Sequence, residues 1–367
     1  MKRRMVGRRE AIKQTLAWCI GAAAGGSLLS ACGPGDPPPP CEPGYDDPAI
    51  GWGPNVLAPV FYGYADYNPS VGAPANLRVY YPSLDGSPQC APFLTGPGHF
   101  PLVLFLHGAC GAAEHHYTKW SRLPAVLARS GFVVAIPDLT GIGYAWAFNN
   151  ATYELIGKTI DWMRTTWSHS KYLMQPPILG IVGHSYGALH GAYLALTIPA
   201  TAYVSVGGAW NDWPSVPPSP LNKLTVPKLF ARGTGAIQEG LNFNAVPSPK
   251  HRLVFPNGGH WDYVPPEATA CDTADNSTAG PCNLVADLVA DFTAVFLSKY
   301  MGPEESHGAL SNAIPDNLIL PAVKLTQKQM FFAGNHLASF GSVGAHKGCS
   351  VTLDWVTSGG SGSRTLP

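Results

Sequence analysis

From about residue 75 the chain alternates unbroken apolar runs with stretches whose apolar positions recur every three or four residues. Leu77-Arg78-Val79-Tyr80-Tyr81-Pro82 reads as an early strand, and Leu102–Leu106 as a strand buried on both faces. A helical stretch from Tyr117 to Arg129 and a strand over Phe132–Ile136 follow. Leu155, Ile156, Ile160, Met163 and Trp167 fall on one helix face. Ile178–Val182 is another buried strand, and a helix of small residues begins near Ala188. Tyr203–Val206, Leu229–Ala231 and Leu253–Phe255 supply three more strands, and Leu284, Leu288, Phe292, Val295 and Phe296 mark a late amphipathic helix. Strand and helix in alternation predict an α/β domain, a mostly parallel central sheet with helices on both faces, over residues 51–302. Residues 303–367 break the rhythm. Their short apolar runs, Leu318–Leu320 and Val351–Leu353, and their Gly/Ser-rich end predict a small β-rich C-terminal extension.

Residues 1–31 follow another pattern. A basic head with paired arginines (Arg8, Arg9) and Lys13 precedes an apolar Ala/Gly-rich stretch from Leu16 to Leu29, the layout of a twin-arginine-like export signal. It is short and weakly apolar for a spanning helix, which needs roughly 20 apolar residues. Leu29-Ser30-Ala31-Cys32 resembles a bacterial lipobox, which makes Cys32 the expected lipidated first residue of an exported, membrane-anchored lipoprotein. Residues 32–50 hold four consecutive prolines, Pro37–Pro40, and read as an extended spacer.

Composition changes this picture in three places. The formal net charge is zero, but six of the 23 basic residues and one of the 23 acidic ones lie in residues 1–31, so the body is net acidic. A body without clustered Lys and Arg has no footing for nucleic acid. Beyond Cys19 in the signal and Cys32, six cysteines remain: Cys41, Cys90, Cys110, Cys271, Cys282 and Cys349. In an exported chain these read as disulfides, with Cys271 and Cys282 the favoured pair across a polar loop. Their spacing does not suggest a metal site, and no cofactor is expected.

The chemistry concentrates at Gly183-His184-Ser185-Tyr186-Gly187, a G-x-S-x-G pattern. The bare pattern is weak. Its position, directly after a buried strand and before a small-residue helix, is the strand–turn–helix setting of a nucleophile elbow. A serine hydroxyl needs a base to take its proton. Pro256-Asn257-Gly258-Gly259-His260-Trp261 follows the last predicted strand and makes His260 the candidate. An oxyanion needs two donors. The Tyr186 N–H is one, and the Gly-rich turn His107-Gly108-Ala109-Cys110-Gly111 offers the second at Ala109, with Cys110 behind it. The acid belongs between Ser185 and His260 in sequence. The loop after Leu229–Ala231 holds no Asp, only Glu239, whereas Asp212 stands in the loop one strand earlier; Asp262 is a third candidate.

These residues, with Phe105-Leu106-His107-Gly108, Trp120 and Leu127–Val134, resemble the α/β-hydrolase superfamily over residues 75–300. The likeness is greatest to its branch of chlorophyllases, dienelactone-hydrolase-like proteins and bacterial polyester hydrolases. The resemblance implies carboxylic ester hydrolysis through an acyl-enzyme on Ser185, with a small-molecule or polymeric ester as substrate. Tyr117, Trp210 and Trp261 are candidate walls of the substrate pocket, with core packing as their other reading. Acyl transfer or peptide hydrolysis by the same triad, and a non-catalytic surface lipoprotein that binds without reacting, are the alternative functions.

Overall fold

The computed structural model describes residues 61–68, 76–83, 88–94, 100–108, 117–118, 120–139, 150–175, 178–208, 220–234, 242–256, 258–260, 262–263, 285–302, 314, 316, 318 and 351–366. The export signal, Cys32 and the Pro-rich spacer lie outside them.

Ten described strands form one sheet in the order β1-β2-β4-β3-β5-β6-β7-β8-β9-β10. They are β1 (Phe61–Tyr67), β2 (Leu77–Ser83), β3 (Leu102–Leu106), β4 (Val133–Pro137), β5 (Leu179–His184), β6 (Ala202–Val206), β7 (Lys228–Gly233), β8 (Lys250–Phe255), β9 (Val351–Thr357) and β10 (Gly360–Leu366). From β4 through β3 to β8 the neighbours are parallel. At the edges, β1, β2, β9 and β10 pair antiparallel. The unbroken apolar runs became the central strands because both their faces are covered: every residue of β3, β4, β5 and β6 is buried.

The helices are α1 (Arg122–Arg129), α2 (Asn150–Thr165), α3 (Tyr186–Thr197) and α4 (Val285–Met301). Strand alternation places α3 and α4 on opposite faces. A β-carbon on Gly180 would meet the Met301 side chain, and one on Gly191 would meet Ile181, the next residue of β5. Met301 ends α4 and Gly191 lies in α3, so consecutive β5 residues look toward different helices.

Helix α1 begins five residues later than the apolar pattern suggests. Pro124 explains the difference. It has no N–H for the Trp120 carbonyl, and its ring obstructs the preceding turn. That carbonyl instead accepts the Tyr80 hydroxyl at 2.8 Å.

The C-terminal extension is more closely joined than a unit packed on the domain. Strand β9 pairs with β8, and the β9–β10 hairpin prolongs the main sheet. Arg252 on β8 grips Asp354 on β9 through two N–H donors, at 2.9 and 2.7 Å. The segment at 314–318 is pinned as well. The Ile314 carbonyl accepts from Lys299 of α4, the Asp316 carbonyl accepts from His251 at 2.8 Å, and the Asp316 carboxylate accepts from Thr357 at 2.6 Å. Of the run expected as a strand at 318–320, only Leu318 is described; it is a buried bend at φ 53°. Cys90 is disulfide-bonded.

Candidate functional site

The carboxyl ends of the parallel strands converge on Ser185. It stands alone between β5, which ends at His184, and α3, which starts at Tyr186. Its φ of 55° and ψ of −123° put a non-glycine residue in a region that costs on the order of 1–3 kcal/mol. The surroundings hold it there. The Ser185 N–H donates to the Val206 carbonyl of β6 at 3.0 Å, and the Ser185 carbonyl accepts from Ala188 N–H at 3.0 Å. The turn is closed tightly enough that residues 183 and 187 need to lack a side chain. A β-carbon on Gly183 would collide with the Gly187 backbone, and one on Gly187 with the carbonyls of Leu106 and His107.

The turn aims the Ser185 hydroxyl at His260, whose Nε2 lies 2.9 Å from Ser185 Oγ. Both residues are buried, at 5% and 3% exposure, so this hydrogen bond is sheltered from bulk water. His260 sits just past β8, in a loop fixed at several points. The Gly259 N–H donates to the Asp262 carboxylate at 2.7 Å, and the His260 carbonyl accepts from His184 Nε2 at 3.1 Å. On the other side of the ring stands Gly207, the first residue after β6. A β-carbon there would be 3.4 Å from His260 Nδ1.

The turn after β3 borders the same place. His107 is buried and its ring is anchored at both nitrogens. Nε2 accepts the Leu139 N–H at 3.1 Å, so the ring proton is on Nδ1, which donates to the Gly108 carbonyl at 2.8 Å. Tyr186, as the first residue of α3, places its N–H at the helix N-terminus, where backbone N–H groups lack intrahelical acceptors and the dipole favours negative charge.

Residues 101–260 match the family described as alpha/beta hydrolase fold. That segment carries β3 to β8, the elbow and the histidine loop. The protein has the alpha/beta hydrolase fold. Among solved structures it is similar to a ferulic acid esterase from Streptomyces cinnamoneus, with 16% identity and a TM-score of 0.48, covering 68% of this chain and 92% of that one. No curated protein matches the sequence.

Within this hydrolase fold the structure brings together Ser185, Tyr186 and His260. Ala109, Cys110, Asp212, Glu239, Trp210 and Trp261 lie outside the described residues. Tyr117 is 1% exposed and belongs to the hydrophobic core, the packing alternative for that ring. Burial, chiefly, pushes its hydroxyl up to about 12, with the charges of Asp66 and Asp138 adding to the shift. Asp262 is engaged by the backbone of the histidine loop. Among the described residues no group of His, Cys, Asp and Glu is assembled that would hold a metal ion.

A buried brace on the edge strands β1 and β2 was not anticipated from the sequence. Arg78 on β2 holds Asp66 on β1 through two donors at 2.7 Å and also donates to the Thr118 carbonyl at 3.0 Å. Together with the Tyr80–Trp120 bond it ties down the approach to α1. The signal was present: Asp66 and Arg78 are charges inside otherwise apolar, aromatic strands, a placement that calls for a partner.

Proposed function

We propose that the protein is a serine hydrolase that cleaves carboxylic esters through an acyl-enzyme on Ser185. The observation that carries this reading is the sheltered contact of 2.9 Å between Ser185 Oγ and His260 Nε2, built on an elbow at φ 55°. His260 takes the proton as Ser185 Oγ attacks the ester carbonyl, which makes a tetrahedral oxyanion. The N–H groups of Tyr186 and Ala109 are the assigned donors to that oxyanion. The imidazolium then gives its proton to the departing alcohol. A water, deprotonated by the same nitrogen, releases the acid and restores Ser185.

The third member we assign is Asp212. Gly207 places the start of the loop after β6 beside His260 Nδ1, and Asp212 follows in that same loop. The loop after β7 also begins against the histidine loop, but at Gly258, two residues before His260, where a β-carbon on Gly233 would collide, and not beside the imidazole. This supports Asp212 over Glu239 as the carboxylate that orients the imidazole and stabilises its charged form.

We place this activity outside the cytoplasm, on a lipoprotein anchored through Cys32. The lipobox-like sequence and the disulfide at Cys90 support that placement. No helix among the described residues is long and apolar enough to cross a membrane. Mass spectrometry of the mature N-terminus tests the anchor, and a lipid-free terminus that begins away from Cys32 would refute it.

The catalytic reading is tested with a fluorophosphonate probe. The natural protein is expected to be labelled and Ser185→Ala is not. Labelling accompanied by hydrolysis of aryl esters supports the esterase. An unlabelled natural protein favours a fold retained for binding.

A further inference from the structure

His184 is the buried last residue of β5 and the immediate neighbour of Ser185. Its Nε2 lies 3.1 Å from the His260 carbonyl oxygen. A carbonyl only accepts, so Nε2 carries a proton and donates it. The ring lies 5.0 Å from the His260 ring and 5.0 Å from the Trp120 ring, centroid to centroid, with Tyr263 at 6.3 Å. Its other nitrogen looks toward the turn after β3, where a β-carbon on Gly108 would come within 2.7 Å of Nδ1. One side chain thus touches the loop of the base, the turn expected to bind the oxyanion, and the Trp120 ring.

We infer that His184 is a positioning residue for the reaction. It fixes the main chain of His260 relative to the strand that carries the nucleophile. Ser185 and His260 are 75 residues apart in sequence, and their side chains meet only if the loop after β8 is held at a set height above the sheet. Two glycines, Gly258 and Gly259, precede His260, so that loop takes its position from the contacts that hold it, the Gly259–Asp262 bond and the His184 donor among them. The donor on His184 belongs to the same strand end as Ser185, so nucleophile and base share one rigid reference. Packing fixes the donor in turn. Trp120 covers the ring, and its own carbonyl is held by Tyr80. Without the donor the base retains its chemistry, but one of the contacts that set its distance to Ser185 Oγ is lost. Misplacement by about 1 Å costs on the order of 100-fold in rate.

The inference rests on Ser185 and His260 being nucleophile and base, and the test separates the two claims. His184→Leu removes the donor at similar volume, whereas His184→Gln restores an amide N–H near the position of Nε2. The second-order rate of fluorophosphonate labelling, kcat and KM on an aryl ester, and the thermal midpoint are measured for each. His184→Leu is expected to lose about 10–100-fold in kcat and in labelling rate, with KM within about twofold. His184→Gln is expected to regain most of that loss although its thermal midpoint matches that of the Leu variant. If the Leu variant does not fold, His184→Asn replaces it: its shorter amide falls short of the His260 carbonyl and is expected to be slow where Gln is fast. Labelling of His184→Leu or His184→Asn at the natural rate, or a Gln variant as slow as either, overturns the inference while leaving the esterase reading intact. A natural protein that is not labelled overturns both.

Discussion

Gly207 and His260 meet where β6 ends: a β-carbon on Gly207 would stand 3.4 Å from His260 Nδ1 and 2.9 Å from the Tyr263 ring. Gly207 also adopts φ +57°, which an L side chain rarely tolerates. Gly207→Ala therefore meets two obstacles, backbone strain and crowding of the imidazole that contacts Ser185. We expect a loss of about 1–3 kcal/mol in stability and a fall in kcat larger than that loss explains. Denaturant unfolding and steady-state rates on the same preparation check it. A variant with natural kcat would show that the imidazole has room to move.

The loop that starts at Gly207 also carries Asp212, the acid we propose. Asp212→Asn is expected to lower kcat by about 10²–10⁴, the effect of an imidazole in the wrong tautomer. Glu239→Gln is expected to leave it within a fewfold. The reverse pattern would move the acid to the loop after β7, and two unaffected variants would remove both assignments.

At the elbow, the obstacle is backbone. A methyl group on Gly187 would run into the carbonyls of Leu106 and His107, at the end of a strand buried on every side. Neither carbonyl is the yielding end of a side chain. Gly187→Ala is expected to destabilise the protein by about 3 kcal/mol or more. Gly191→Ala, where the nearest atom is Ile181 Cγ2 at 2.9 Å, is expected to cost less. Thermal unfolding of the pair tests the order, and equal midpoints would contradict the tight closure of the turn.

The brace between β1 and β2 permits a different test. The Arg78 and Asp66 side chains are 9% and 6% exposed, so removing one charge strands the other in a poorly solvated site. Arg78→Met is expected to cost about 3–5 kcal/mol. It also removes the Arg78 donor from the Thr118 carbonyl. Asp66→Asn combined with Arg78→Met is expected to recover part of the loss, because no buried charge is then left alone. A double variant no better than the single one would assign the cost to the lost Thr118 contact.

The legible parts of this molecule were those in which local pattern and tertiary environment agree. Unbroken apolar runs such as Leu102–Leu106 can be buried on both faces only inside a parallel sheet, and the glycines around Ser185 had no simpler purpose than a sharp turn. β1 was not legible. Its sequence, Phe-Tyr-Gly-Tyr-Ala-Asp-Tyr, buries Gly63, Ala65 and Asp66 and leaves Phe61 exposed, so its hydrophobic alternation is inverted. β10 was hidden for a similar reason. Gly360-Ser361-Gly362-Ser363 carries no apolar alternation of its own, yet it forms an edge strand because β9 supplies its hydrogen-bond partners and Trp355 lies over Gly362. The Ser185–His260 pair was legible from strand order. The role of His184 was not, because its partner is a backbone carbonyl 76 residues away and carbonyls leave no trace in a sequence.

The far end of β8 carries the pH dependence. His251, its second residue, is buried against Phe296 and Tyr300 and donates to the Asp316 carbonyl. Burial, helped by the nearby Lys299, pushes its imidazole down to about 4, against the opposing pull of the Asp316 hydrogen bond and charge. The folded protein therefore keeps His251 neutral, while the unfolded chain protonates it below about pH 6.5. Between these values the unfolded state binds the extra proton, so the stability contributed by His251 is fully present above pH 6.5. It is lost as pH falls toward 4, by about 3 kcal/mol in all. His251→Gln keeps an amide donor for Asp316 and removes the titration. Denaturant unfolding of both proteins from pH 7.5 to 4.5 should give parallel stabilities above pH 6.5. Below it the natural protein should fall more steeply, by up to about 1.4 kcal/mol per pH unit. Because His251 lies at the opposite end of β8 from the loop of His260, the Gln variant is expected to keep the natural pH profile of kcat. Parallel stability curves throughout would mean that His251 is protonated in the folded state and that the contact with Asp316 is made by a charged ring.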